Sequence, residues 1–278
     1  MAGKYRTQYY DIDIAMVIDA TSGMNYWIEL LKENAKNIYP DFCKRLREDP
    51  TKEREINQMR IRVITFRDFK AYVNEGRKPG RKPLQATRFF NMPEDTEAFK
   101  RSVSEIKAEG GGFEKEEFKK YEADPEDGLE ALATAIKSEW VKGQIPDRRH
   151  IIVLWTDAPT HELGYGSNVD CYPEGMPKDF KELTRWWEEM DYMSKRLVLY
   201  APKMERWKSI ISSWKNVIFV ENVPGRYAET MAELQESDDY GTILDLLVHT
   251  EELKTPHTNS RKIQKRRLHN GWKIQNTI

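Results

Sequence analysis

Two aspartates stand where a cation could be held. Asp19 closes the apolar run Ile14–Ile18 and is followed by Thr21 and Ser22; Asp157 closes a second run, His150–Thr156, and is followed by Ala-Pro-Thr-His. Carboxylate and hydroxyl oxygens are the ligands that hard divalent cations take, and Mg2+ keeps several waters beside one or two carboxylates. One acid at the end of an apolar stretch is common by chance. Two of them, the first with a hydroxyl residue two positions on, form a constellation. No nucleophile stands at a spacing that pairs it with a general base, so the chemistry is that of binding rather than of turnover.

The elements that must position these acids are strands of a buried sheet. Apolar runs of roughly four to eight residues bounded by turn signals fit strands covered on both faces. In open parallel sheets, ligands bind beyond the carboxyl ends of the strands, which is where Asp19 and Thr21 would lie. Between and after the two runs the periodicity alternates. Asn25–Arg47 reads as one long helix, with Trp27, Leu30, Leu31, Ala35, Ile38, Phe42 and Leu46 at three- and four-residue steps; Asn25 is its N-cap and Asp49-Pro50 its stop. Gln58–Phe66 is a strand that Asp68–Val73 continues or turns back on, and Asn74–Gln85, with Arg77, Lys78, Arg81 and Lys82, is a solvated loop. Thr87–Asn91 is a short edge strand, and a helix capped by Asp95 or Thr96 runs to about Ala108.

Gly110-Gly111-Gly112 breaks the chain, and the charged stretch Phe113–Ala123 reads as an insertion. Asp124-Pro125-Glu126-Asp127 is a strong helix start, with Asp124 as the cap and acids in the first turn. That helix buries Leu129, Leu132, Ala133, Ile136 and Trp140, and stops at Gly143 and Pro146. Ala158–Lys178 is a long loop, the kind that usually carries function, and Thr160 and His161 read as its surface residues. His150 reads as a half-exposed strand start. Asp179–Lys195 and Met204–Trp214 are helices, with Trp186-Trp187 contributing one core and one rim residue; Arg196–Tyr200 and Asn216–Glu221 are strands; Gly241–Thr250 is a last helix. Strands alternating with helices from end to end predict an α/β, Rossmann-like three-layer sandwich with a mainly parallel sheet. Residues 1–252 read as one domain. Residues 253–278, with Arg261, Lys262, Lys265, Arg266 and Arg267, read as a solvated basic tail, or as an arm for a partner or a phosphate backbone.

Composition narrows the function classes. The 278 residues and eight Trp allow a sizeable core, and a net charge of −1 leaves no global field to attract nucleic acid or a membrane surface, so that only the basic tail suits nucleic acid. Cys43 and Cys171 form neither a disulfide framework nor a zinc spacing. The opening MAGKYRTQYYDIDI lacks the apolar segment of a signal peptide, and no window approaches the ~18 apolar residues of a membrane span. A cytoplasmic protein is expected.

Three motifs, in order and on the right elements, resemble the von Willebrand factor A family over about Tyr10 to Thr250: IDATSGM at 18–24, the glycine run at 110–112 leading to DPEDGLEAL at 124–132, and WTDAPTH at 155–161. In that family Asp-x-Ser/Thr-x-Ser opens a metal-ion-dependent adhesion site (MIDAS). The resemblance implies Asp19 and Thr21 as ligands from the first loop, Asp124 from the second, and Asp157 from the third, directly or through water. It departs in two places. The family's second first-loop hydroxyl falls at Gly23, with Ser22 one position early, and the insertion separates the glycines from Asp124.

The resemblance implies a non-enzymatic interaction module that holds Mg2+ (or Mn2+ or Ca2+) as a clasp for a carboxylate of another protein. Bacterial intracellular members of this type work with kinase, phosphatase or ATPase partners in stress, signalling or defence systems. Gly23 favours a rival, a metal-free degenerate adaptor that binds through its loops. A further rival is a Mg2+-dependent phosphotransferase of the haloacid-dehalogenase type with Asp19 as nucleophile. That chemistry needs Asp-x-Asp at the strand exit, and position 21 is Thr. Asp11 and Asp13 have the spacing at the wrong end of the strand, and no clear strand precedes Asp238-Asp239.

Overall fold

The computed structural model describes residues 7–47, 54–78, 82–110, 124–142, 148–221 and 274–276. At its centre lies β1 (Gln8–Asp19), parallel to β2 (Arg54–Phe66) on one side and to β5 (Arg148–Trp155) on the other. Next come β6 (Lys195–Ala201) and β7 (Val217–Glu221), also parallel. Three short strands run antiparallel: β3 (Leu84–Ala86) and β4 (Phe90–Met92) against β2, and β8 (Ile274–Asn276) against β7. The sheet order is β3-β2-β1-β5-β6-β7-β8, with β4 paired to β2. The chain therefore leaves β1 in one direction and returns to its other side as β5, which makes the β1/β5 boundary the switch point where α/β sheets open a crevice.

Successive side chains of a strand point to opposite faces, so β1 feeds two cores. Ile14, Met16 and Ile18 join Met24, Ile28, Phe42 and Phe99, contributed largely by α1 (Asn25–Asn34), α2 (Ile38–Arg47) and α4 (Thr96–Ser104). Ala15 and Val17 join Leu132, Leu183, Trp187 and Trp207 of α5 (Gly128–Ile136), α6 (Phe180–Glu189) and α7 (Glu205–Ser213). Each fully buried large aliphatic contributes roughly 1.5–3 kcal/mol of transfer free energy. The result is the expected three-layer α/β sandwich.

Several local expectations are corrected. The single helix over 25–47 is two. Asn34 turns its side-chain amide onto the Leu30 carbonyl and Asn37 N–H bonds Asn34 O, which interrupts the ladder at 35–37. Asp68–Val73 is not strand: Asp68 caps α3 (Phe69–Asn74) by accepting from Ala71 N–H at 2.7 Å. The loop after it gives up Leu84–Ala86 to the sheet. α5 begins at Gly128, so Asp124 does not cap it. α6 ends at Glu189 rather than running to Lys195. His150 is buried, stacked on Trp140 with ring centroids 5.1 Å apart.

Asp49-Pro50, Gly111, Gly112, the insertion 113–123, Gly143, Pro146, Asp238-Asp239, the helix expected at 241–250, the boundary at 252 and most of the basic tail lie outside the described residues. Among the described residues no helix is long and apolar enough to cross a membrane.

Candidate metal centre

Asp19 is the last residue of β1 and Thr156 follows the last residue of β5. Because Ile18 pairs with Trp155, the two exits lie side by side. Thr156 Oγ1 donates to Asp19 Oδ2 at 2.7 Å, while the Thr21 N–H and hydroxyl donate to Asp19 Oδ1 at 2.9 and 2.7 Å. The aspartate is fully buried. Burial pushes its carboxyl above the ordinary range, against the pull of those hydrogen bonds and of Arg67.

Asp157 stands beside it. Burial, then the Asp19 charge, raises its carboxyl to about 7. Its carboxylate fills the space in front of Gly23, where an added Cβ would lie 2.2 Å from Asp157 Oδ2. The position at which the resemblance puts a hydroxyl is thus occupied by a carboxylate reaching over from the third loop.

A third segment closes in. Glu126 N–H donates to Pro159 O and His161 N–H to Glu126 O, both at 3.0 Å, forming a bridge between the second loop and the β5 exit. The Glu126 side chain is 4% exposed, and its Oε2 has no hydrogen-bond partner among the described residues. Burial, followed by the charges of Asp19, Asp68, Asp127 and Asp157, pushes its carboxyl well above the usual range. Sequence reading placed Glu126 among the first-turn acids of a helix; the helix starts two residues later, and Glu126 instead pairs its backbone with the β5 exit. Its only signal was its place in the Asp-Pro-Glu-Asp run.

The other expected ligands are placed differently. Ser22 is exposed and its hydroxyl donates to Gly110 O at 2.9 Å, so it tethers the first loop to the segment before the insertion. Asp124 is half-buried, two residues before Glu126. Among the described residues, no three His, Cys, Asp or Glu side chains stand close enough together to hold a metal ion by themselves. Any cation held here would take its ligands from two carboxylates, the Thr21 hydroxyl and water.

Behind the site lies a layer of acids that sequence reasoning missed. Asp127 Oδ2 accepts from Phe69 N–H at 2.6 Å, and burial, then Glu130 and Asp68, raises its carboxyl to about 9. Glu130 Oε1 accepts from Gly164 N–H and from Tyr172 Oη at 2.9 and 3.0 Å, which pins the long loop. His161 is not a surface residue: it is 8% exposed, its Nε2 lies 2.8 Å from Asp68 Oδ2, and its ring stacks on Tyr165. A pocket lined by Arg67, Asp68, Ala71, Tyr72, Glu75, Lys78, Glu109, Gly110 and Glu126 opens from this acidic layer to the surface.

Asp11 and Asp13 lie at the opposite, amino end of the sheet. Arg60 grips Asp13 with two bonds of 2.7 and 2.6 Å, and Arg148 and Asn57 donate to Asp11. They form a structural charge network, apart from the site.

No protein-family model and no curated protein matches this sequence. Among solved structures, the chain is similar to proximal thread matrix protein 1 from the mussel byssus, at 14% identity and a TM-score of 0.41 over 87% of this chain and 47% of that one. A form of that mussel protein with a zinc-occupied MIDAS motif gives 15% identity and a TM-score of 0.39 over 86% and 46%. The pilus adhesin SpaC of Lactobacillus rhamnosus GG, in its open conformation, gives 13% identity and a TM-score of 0.32 over 53% and 15%. The chain thus spans under half the length of the mussel protein and a small part of SpaC. The α/β architecture is read from the strand order itself.

Proposed function

We propose that the chain is a non-enzymatic protein-interaction module of the von Willebrand A type. Its binding edge is the carboxyl end of the sheet between β1 and β5. There Asp19, Thr21 and Asp157 hold a divalent cation, Mg2+ first among them with Mn2+ or Ca2+ as substitutes, and a carboxylate of another protein completes the shell. When bound, the ion supplies a Lewis-acidic point of attachment. The chain's own residues orient it: Thr156 and Thr21 fix the Asp19 carboxylate, and Gly23 makes room for Asp157.

The observation that carries this reading is the meeting of the two exits: Ile18 pairs with Trp155, so acids from separate strands come out side by side, both buried, and the Asp19 charge helps to raise the Asp157 carboxyl. Buried like charges at one place are what a cation relieves. An intracellular bacterial setting with a kinase, phosphatase or ATPase partner extends the resemblance and is part of the proposal. Asp19, with both oxygens engaged by hydroxyl and amide donors, is poorly placed as a phosphoryl nucleophile, which favours the binding reading over the haloacid-dehalogenase one.

The test is thermal melting with millimolar MgCl2 or MnCl2 and with EDTA, for the wild type and Asp19→Asn. A ligand at about 100 times its Kd adds about 2.7 kcal/mol. A melting point that rises with the ion in the wild type and not in the variant is expected. Failure of the wild type to respond sinks the metal clasp and favours the metal-free adaptor, a reading supported by the Ser22 hydroxyl turned onto Gly110 and the lack of three clustered acids at ligand distance among the described residues.

A further inference from the structure

We propose that Glu126 is the outer acid of this cation site, accepting hydrogen bonds from the water shell of an ion held by Asp19, Thr21 and Asp157, so that the second loop closes on the same ion as the first and third. The inference rests on the cation reading above and adds a residue that the resemblance does not supply.

Three observations lead to it. Glu126 is 4% exposed with Oε2 unpartnered among the described residues, and a buried carboxylate oxygen left without a partner is costly. Its backbone is tied at both N–H and carbonyl to the loop that carries Asp157, so its position is set by the site rather than by the helix that follows. The charges that push its carboxyl up, those of Asp19, Asp68, Asp127 and Asp157, are acids; of the two bases that line the same pocket, Arg67 and Lys78, Arg67 donates Nε, Nη1 and Nη2 to the carbonyls of Glu109, Lys82 and Lys107. Among the described residues no three such side chains stand close enough together to hold an ion by themselves, so we assign Glu126 to the water shell and not to the direct ligands. Mg2+ and Mn2+ sites with few protein ligands keep such waters, and the carboxylates that bind those waters orient the shell.

The charge balance has a consequence for the ion. Asp19, Asp157 and Glu126 bring three acidic groups to a divalent cation. Together they favour retention of the cation and reduce its remaining pull on a partner's carboxylate. Glu126 is therefore a positioning residue that sets how tightly the ion is kept.

The experiment is a titration of the full chain with Mn2+ alone, following free Mn2+ by its EPR signal, for the wild type, Glu126→Gln, Glu126→Asp and Asp19→Asn, with melting of each metal-free protein alongside. Loss of an acid that orients metal-bound groups typically weakens metal affinity 10–100-fold. Glu126→Gln is expected to bind Mn2+ within that range more weakly while melting, metal-free, like the wild type. Glu126→Asp, which keeps the charge but shortens the reach, is expected to fall between the two. Wild-type affinity in either variant overturns the role of Glu126 and leaves the cation reading standing. A wild type that binds no Mn2+ overturns both. Should Glu126→Gln not fold, the Glu126→Asp titration decides alone.

Discussion

Gly23 and Asp157 share one space: the Asp157 carboxylate lies where a side chain on residue 23 would begin, with Oδ2 2.2 Å from the place of the missing Cβ. A contact that close forces the flexible carboxylate aside. Gly23→Ala is expected to leave the fold intact at a cost of about 1–3 kcal/mol, the usual range for overpacking. It should also abolish most of the melting-point gain given by Mg2+ or Mn2+, because Asp157 no longer faces Asp19. Thermal melts of wild type and variant, with and without the ion, check this. An ion response of the same size in both would mean that Asp157 is not a ligand.

The buried acids make stability depend on pH in a predictable direction. Asp127 titrates near 9 in the folded chain against 3.8 ordinarily, and Asp157 near 7. Between about pH 4 and those values the folded chain holds protons that the unfolded chain has released, so stability falls as pH rises. The slope is about 1.4 kcal/mol per pH unit for each such group. Asp68 has the opposite sign. Burial works to raise its carboxyl, but the His161 and Ala71 N–H bonds outweigh it and hold it low, so its contribution is lost as pH falls. Asp127→Asn keeps an acceptor for Phe69 N–H and removes the titration. Urea unfolding in the absence of metal should find it close to wild type near pH 5 and more stable than wild type at pH 9. Parallel profiles for the two proteins would show that Asp127 ionises freely in the fold.

The sheet was legible because its signal is dense. The apolar runs at 14–18 and 150–156 have no competing reading, and an acid at each exit needed only parallel pairing to meet its counterpart. The legible part ended where a single side chain decides the local backbone. Asn34 breaks a helix whose apolar period runs on unbroken, and Asp68 starts one in a stretch rich in strand formers. Glu126 was hidden by a stronger local pattern, since Asp-Pro followed by acids is a good helix start wherever it occurs. The bridge to the β5 exit ties Glu126 ahead of the helix, and that is a contact between segments far apart in the sequence. The burial of His161 against Asp68 is non-local in the same way.

The long loop after β5 is tied down by one buried acid. Tyr172 Oη and Gly164 N–H converge on Glu130 Oε1, and Trp207 Nε1 donates to Ala158 O at the start of the loop. Tyr172→Phe removes one of these ties without changing the ring that packs on Phe69. A loss of about 1 kcal/mol is expected, the net worth of one hydrogen bond, with a larger effect on the loop than on the core. Amide exchange should speed up within 161–178 and stay unchanged in β1 and β5. Uniform acceleration across the sheet would show that the loop is part of the global folding unit.

The amino end of the sheet offers a control for every claim about its carboxyl end. Asp13 is 3% exposed and accepts two bonds from Arg60 and a third from Val141 N–H at 2.9 Å, so both its oxygens are engaged. Removing one partner of a buried pair leaves the other charge uncompensated, at a typical cost of 3–5 kcal/mol. Asp13→Ala should therefore be among the most destabilising substitutions in β1, with Asp13→Asn milder because it still accepts from Arg60 and Val141. Yet both lie at the opposite end of the strand from Asp19, and whatever remains folded should gain from Mn2+ as the wild type does. Urea unfolding gives the stability and Mn2+ titration the site. A variant that is as stable as wild type but no longer binds the ion would move the cation to the Asp11–Asp13 end, against the placement argued from the two strand exits.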